Sequence, residues 1–134
     1  MARGGVPPGM LIAPLVLAAA LAAPTDTVVA DSLAEYAGWY RWGFEHSEFV
    51  ACAAAANDRP WWAVPTNVAL AQRDSLAAAV TPGASGPVFV RVRGVAGQRL
   101  AMGAGHLGAS TRYFRVLEVL EMRKAEGATC PVAA

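Results

Sequence analysis

The run YAGWYRWGFEHSEF, Tyr36 to Phe49, decides the fold. Tyr36, Tyr40, Trp42 and Phe44 fall at even spacing, with Trp39, Arg41, Gly43 and Glu45 between them, which is the period-2 pattern of a half-buried strand. The even positions are expected to point inward. Phe49 breaks the parity, and Gly43 sits where a chain can kink, so the reading places a bulge or sharp bend between Gly43 and Ser47. A long bent first strand is one way a small barrel turns a corner.

Outward from this run, Ala53 to Arg59 reads as a loop and Trp61-Trp62-Ala63-Val64 as a short strand. Thr66 is suited to cap a helix reaching about Val80, since 67–79 holds no Gly or Pro. Val88 to Arg93, VFVRVR, is the clearest alternation in the chain, with Val88, Val90 and Val92 expected inside and Phe89, Arg91 and Arg93 outside. Five glycines between Gly94 and Gly108 indicate turns around a short strand at Gln98–Met102. Arg112 to Arg123 reads as a final long strand. The expected core is Tyr40, Trp42, Phe44, Val88, Val90, Val92, Val116 and Leu120. The fold class is therefore mainly β: a small OB-like, partly open β-barrel with one short helix, the alternative being a β-sandwich with one helix. The candidate helix falls earlier than the usual OB position between the third and fourth strands.

The chain has 134 residues, 55% hydrophobic and 16% charged, with formal net charge +1. Near-neutrality removes the bulk electrostatic case for nucleic acid or an anionic membrane surface, and no nucleic-acid partner is expected. Arg3 is the only charge before Asp26, and Met10 to Ala23 is an apolar run broken by Pro14, which reads as a secretory signal within 1–30. Cleavage is expected after Ala22 or Ala30, leaving a single domain over 31–134, secreted or periplasmic. The apolar run is shorter than the roughly 20 residues a spanning helix requires, so no transmembrane segment is expected after cleavage. The only two cysteines, Cys52 and Cys130, are expected to form a disulfide, as an exported pair in an oxidising compartment usually does.

YAGWYRWGFEHSEFVAC, Tyr36 to Cys52, and GHLGASTRYFRVLEVLEMR, Gly105 to Arg123, resemble elements of a family of small exported or lipid-anchored bacterial proteins of uncharacterised function. That family shows Y-x-G-x-Y-x-x-G-F-E-x-S-x-F-x-x-C near the mature start and G-H-L-G before the final strand. Tyr36, Gly38, Tyr40, Gly43, Phe44, Glu45, Ser47, Phe49 and Cys52 match the first, and Gly105 to Gly108 the second. The family usually has Pro before the Cys, where this chain has Ala51, and many members carry a lipidation Cys that is missing here. The resemblance implies a small extracytoplasmic β domain and no reaction.

Catalytic constellations are weak. His46 and His106 are the only histidines, no metal-ligand spacing is present, and neither a G-x-S-x-G element nor a phosphate loop occurs, so no metal and no cofactor is expected. The glycines of GHLG read as a tight turn into the last strand, with His106 at that turn. Trp39, Trp42, Trp61 and Trp62 lie within 24 positions. Trp61 and Trp62, adjacent on a strand, must face opposite sides. Outward parity puts Trp39 with Arg41, and Phe89 with Arg91 and Arg93, so the candidate binding residues are Trp39, Arg41, Arg91 and Arg93, with His106 at the rim. Arg supplies a planar donor fork and Trp a stacking face. Arg41 and Arg93 could equally pair with Glu45, Glu118 or Glu121 as cross-strand ion pairs on a solvated surface. The expected function is a non-catalytic exported binding or envelope-interaction module with an envelope or extracellular partner. The alternative is an extracytoplasmic enzyme using His106 or Glu45.

Overall fold

The computed structural model describes residues 4, 28–80 and 86–131. Of the expected signal segment, 1–30, only residues 4 and 28–30 are among these, and the cleavage point after Ala22 lies outside them. Six main elements follow one another: β1 (Leu33–Gly43), β2 (His46–Ala51), β3 (Trp61–Pro65), α1 (Asn67–Val80), β4 (Val88–Ala96) and β5 (Tyr113–Lys124), with a short 3-10 turn at His106–Gly108. The strands close into a barrel in the order β1-β2-β3-β5-β4, with β4 paired back onto β1 and β3 parallel to β5. This is a mainly β, OB-like barrel, and it is closed rather than partly open.

The expected long first strand is two strands. Gly43 pairs with His46, so Phe44 and Glu45 form a tight turn, with Glu45 at φ 58°. Alternation ends at the turn, which corrects the core assignment of Phe44: its side chain is 88% exposed. After the reversal Phe49 lies opposite Tyr40, and both point inward. Counting the hairpin as two strands also puts α1 between the third and fourth strands, the usual OB position. The apparent displacement of the helix arose from that miscount.

Inside the barrel, Tyr36, Phe49, Trp61 and Phe114 pack with ring centroids 4.9–5.8 Å apart, three of the contacts edge-to-face. Val88, Val90, Val92 and Val116 join them as the alternation predicts, and Trp61 is completely buried. Gly38 permits the close approach of β1 and β2, because a Cβ there would collide with the Val50 carbonyl and the Phe49 ring. Trp42 is half-buried at the edge of the core, beside Tyr40 and beneath the Arg73 guanidinium at 4.7 Å.

Leu120, expected in the core, is half-buried, and Val119 takes the interior place. The register explains the substitution. Arg91 pairs with Glu121 and Val92 with Val119, then Arg93 with Glu118 and Gly94 with Val116, so Leu120 and Leu117 are extra residues at two bulges. Each bulge advances the inward phase by one position and takes backbone groups out of the ladder. Thr66, at the N-terminus of α1, and Gln72 within it satisfy them: the Thr66 hydroxyl donates to the Leu117 carbonyl at 3.3 Å, and the Val119 amide donates to Gln72 Oε1 at 2.7 Å. Thr66 Oγ1 also accepts from the Ala69 amide at 3.2 Å, the expected N-cap. Ala69 is fully buried where the helix meets the barrel.

The segment 98–102 forms no strand, although Ala104 bridges Ser110. Phe89 points outward as expected but is only 3% exposed, covered by the Trp39 ring at 5.2 Å and by the Arg123 guanidinium at 4.7 Å. Cys52 and Cys130 are joined as a disulfide, Cα atoms 5.6 Å apart, tying the residue after β2 to the segment beyond β5.

Candidate functional site

The outward positions of β1, β2 and β3 form one surface. Cross-strand register places Arg41 opposite Glu48, Glu48 opposite Trp62, and Trp62 opposite Tyr113, giving a row across four adjacent strands. Arg41 Nη2 donates to Glu48 Oε2 at 2.8 Å, and the other Glu48 oxygen lies 3.7 Å from His46 Nδ1. In a parallel row, Val50 faces Trp39, Trp39 faces Phe89, and Phe89 faces Arg123. Between the two rows lies an open groove of about 280 Å³ lined by Trp39, Arg41, Glu48, Val50 and Pro87.

Two loops rim this surface. The β1–β2 turn carries Phe44 and Glu45, and the β4–β5 loop, 97–112, carries Met102 and His106–Gly108. They meet where His106 Nε2 lies 3.7 Å from Glu45 Oε2. Both meeting points hold a non-glycine residue in the left-handed region, Glu45 at φ 58° and Leu107 at φ 54°, a conformation that costs energy and must be imposed by its surroundings. Gly105, at φ 70°, lies against the indole of Trp62, where a Cβ would overlap the ring. The 3-10 turn therefore sits on Trp62, and its glycine is required both by backbone angle and by contact. Arg59 anchors the turn from below, donating to the Gly108 carbonyl at 3.2 Å. Phe44, Met102 and Leu107 are 88%, 92% and 90% exposed, an apolar fringe along the rim.

The residues singled out from sequence divide into two groups. Trp39 and Arg41 line the groove, and His106 reaches its rim through Glu45 and the Gly105–Trp62 contact. Arg91 and Arg93 stand on β4, beyond Trp39. Arg91 donates to Glu35 at 2.8 Å and to Glu121 at 3.3 Å, and Arg93 to Glu118 at 3.1 Å. Glu35 first, and then Glu121, hold the Arg91 guanidinium above its ordinary value, so it stays charged. Exposed pairs of this kind are screened and contribute little to stability. Glu48, Val50 and Trp62 were missed by sequence reasoning. The outward parity of WW and of HSEFV carries the signal, but only once the hairpin and the β2–β3 register are known.

Among the described residues no three His, Cys, Asp or Glu side chains converge as a metal would require. A second open depression, about 400 Å³, lies over β3 and β5 between Val64, Pro65, Thr66, Tyr113 and Arg115. No family model, curated protein or solved structure matches the chain.

Proposed function

We propose that the chain is a non-catalytic binding module that works outside the cytoplasm and takes its ligand on the outer face of β1, β2 and β3. The groove that joins the Trp39 ring to the Arg41–Glu48 pair carries this reading. It offers a stacking surface and fixed polar groups together, the composition of a small-ligand site. OB barrels use this face and the loops that rim it. The disulfide and the apolar N-terminal run support an extracytoplasmic setting. Among the described residues no helix is long and apolar enough to cross a membrane.

The measurement is co-sedimentation of the mature protein with isolated cell-envelope material. Trp39→Ala and Glu48→Gln are each expected to weaken the apparent affinity about tenfold, a loss of about 1.4 kcal/mol. The double variant Arg91→Ala with Arg93→Ala should bind as the parent does, because those side chains are engaged by carboxylates beyond the groove. Folded Trp39→Ala and Glu48→Gln proteins that bind as well as the parent would remove this face from consideration.

The approach of His106 to Glu45 favours a second reading, an enzyme whose acid and base lie at the rim. Turnover of an envelope polymer that disappears in His106→Ala would establish it in place of the binding module.

A further inference from the structure

We propose that the ligand class is an uncharged oligosaccharide, bound across the strands over Trp39, Arg41, Glu48 and Trp62. This deepens the binding reading above and rests on it. The argument begins with charge. An anion in the groove requires an unengaged cation, yet Arg41, the one cation among its lining residues, is held by Glu48 at 2.8 Å, and the Glu48 carboxylate would repel a phosphate or uronate placed beside it. As a pair they present a donor fork and an acceptor side by side with no net charge. That array matches vicinal hydroxyls, each of which donates and accepts at once.

Shape points the same way. Trp39 and Trp62 are half-buried and flank the pair, Trp39 on the neighbouring row of β1 and Trp62 directly opposite Glu48. An aromatic ring carries negative potential on its face, which attracts the polarised C–H face of a pyranose. Trp62 is fixed from one side by Gly105, and Trp39 is braced against Phe89 at 5.2 Å, so both rings are ordered before a ligand arrives. The row Arg41, Glu48, Trp62, Tyr113 advances by one strand spacing per residue, about 4.8 Å, comparable to one sugar ring per strand. A linear oligosaccharide laid across the strands meets a polar or aromatic side chain at each ring, whereas a monosaccharide meets only one or two.

The test is titration of the mature protein, followed by tryptophan fluorescence and calorimetry, with four probes: cellotetraose, chitotetraose, tetragalacturonate and an oligothymidylate. At least one neutral tetrasaccharide is expected to bind saturably, about tenfold more tightly than its own monosaccharide. Glu48→Gln should weaken that binding about tenfold, whereas Arg91→Ala should leave it unchanged. Trp39→Ala should likewise weaken it about tenfold, and because Trp39 also covers Phe89, Glu48→Gln serves as the variant that leaves the packing intact. Tighter binding of tetragalacturonate or the oligonucleotide would overturn the proposal. So would the lack of saturable binding to either neutral tetrasaccharide up to about 10 mM. If envelope co-sedimentation persists in that case with its dependence on Trp39, the ligand class falls and the binding module stands. If co-sedimentation fails as well, both fall.

Discussion

Two phenylalanines from the opening run behave oppositely although five positions separate them. Phe44 sits at the turn in solvent, and Phe49 is buried against Trp61 and Phe114. Truncating Phe49 to Ala is expected to cost about 3 to 5 kcal/mol through lost transfer energy and a cavity, whereas Phe44→Ala should change stability by less than about 0.5 kcal/mol. Urea denaturation of the two variants checks both. A second residue-scale prediction concerns Gly105. Alanine there meets an unfavourable backbone angle and the Trp62 ring, so Gly105→Ala should destabilise by about 1 to 3 kcal/mol, with a change in tryptophan fluorescence. Gly43→Ala, with open space around it, should be tolerated. The opening run was half legible for a residue-scale reason. Tyr36, Tyr40 and the valines of β4 obeyed their parity, but Glu45 adopts the left-handed angle that usually announces itself as Gly or Asn. Without such a residue, Phe44 looked like one more inward position.

At the scale of elements, β5 and α1 depend on one another. Of the two bulges in β5, the one at Leu117 brings Val119 inward where strict alternation would place Leu120, and the one at Leu120 restores the phase at Met122, while the side chains that satisfy the displaced backbone come from Thr66 and Gln72. Gln72→Ala leaves the buried Val119 amide without its acceptor and is expected to cost about 1 to 3 kcal/mol. A neighbouring exposed change such as Ala71→Ser should cost much less, and parallel thermal melts compare them. A Gln72→Ala protein as stable as the parent would show that the bulge does not need the helix. This coupling was invisible in the sequence: the helix itself could be read from Thr66 and the Gly-free run after it, but no local pattern encodes an extra residue in a strand about 50 positions away. The candidate site suffered the same loss. Trp39 and Arg41 follow from the alternation of one strand, whereas Glu48 and Trp62 become their neighbours only through pairing across three.

For the molecule as a whole, the disulfide closes a loop of 78 residues. Reduction is expected to remove about 4 kcal/mol by enlarging the unfolded ensemble, measured as the change in urea midpoint with and without a thiol reductant. No appreciable shift would mean that the reduced unfolded chain keeps much of its order. Closure of the barrel also bears on how the chain assembles in time. The β1–β2 and β2–β3 pairings join strands adjacent in sequence, but β1 must find β4, and β3 must find β5, across about 50 residues each. Such non-local pairing places folding on the millisecond-to-second scale. The two thiols, one just past β2 and the other past β5, are held side by side by the finished barrel, with Cα atoms 5.6 Å apart. Oxidation is therefore expected to follow barrel closure, a seal rather than a guide, and thiol trapping during oxidative refolding checks it: a disulfide formed before β4 and β5 pair would reverse that order.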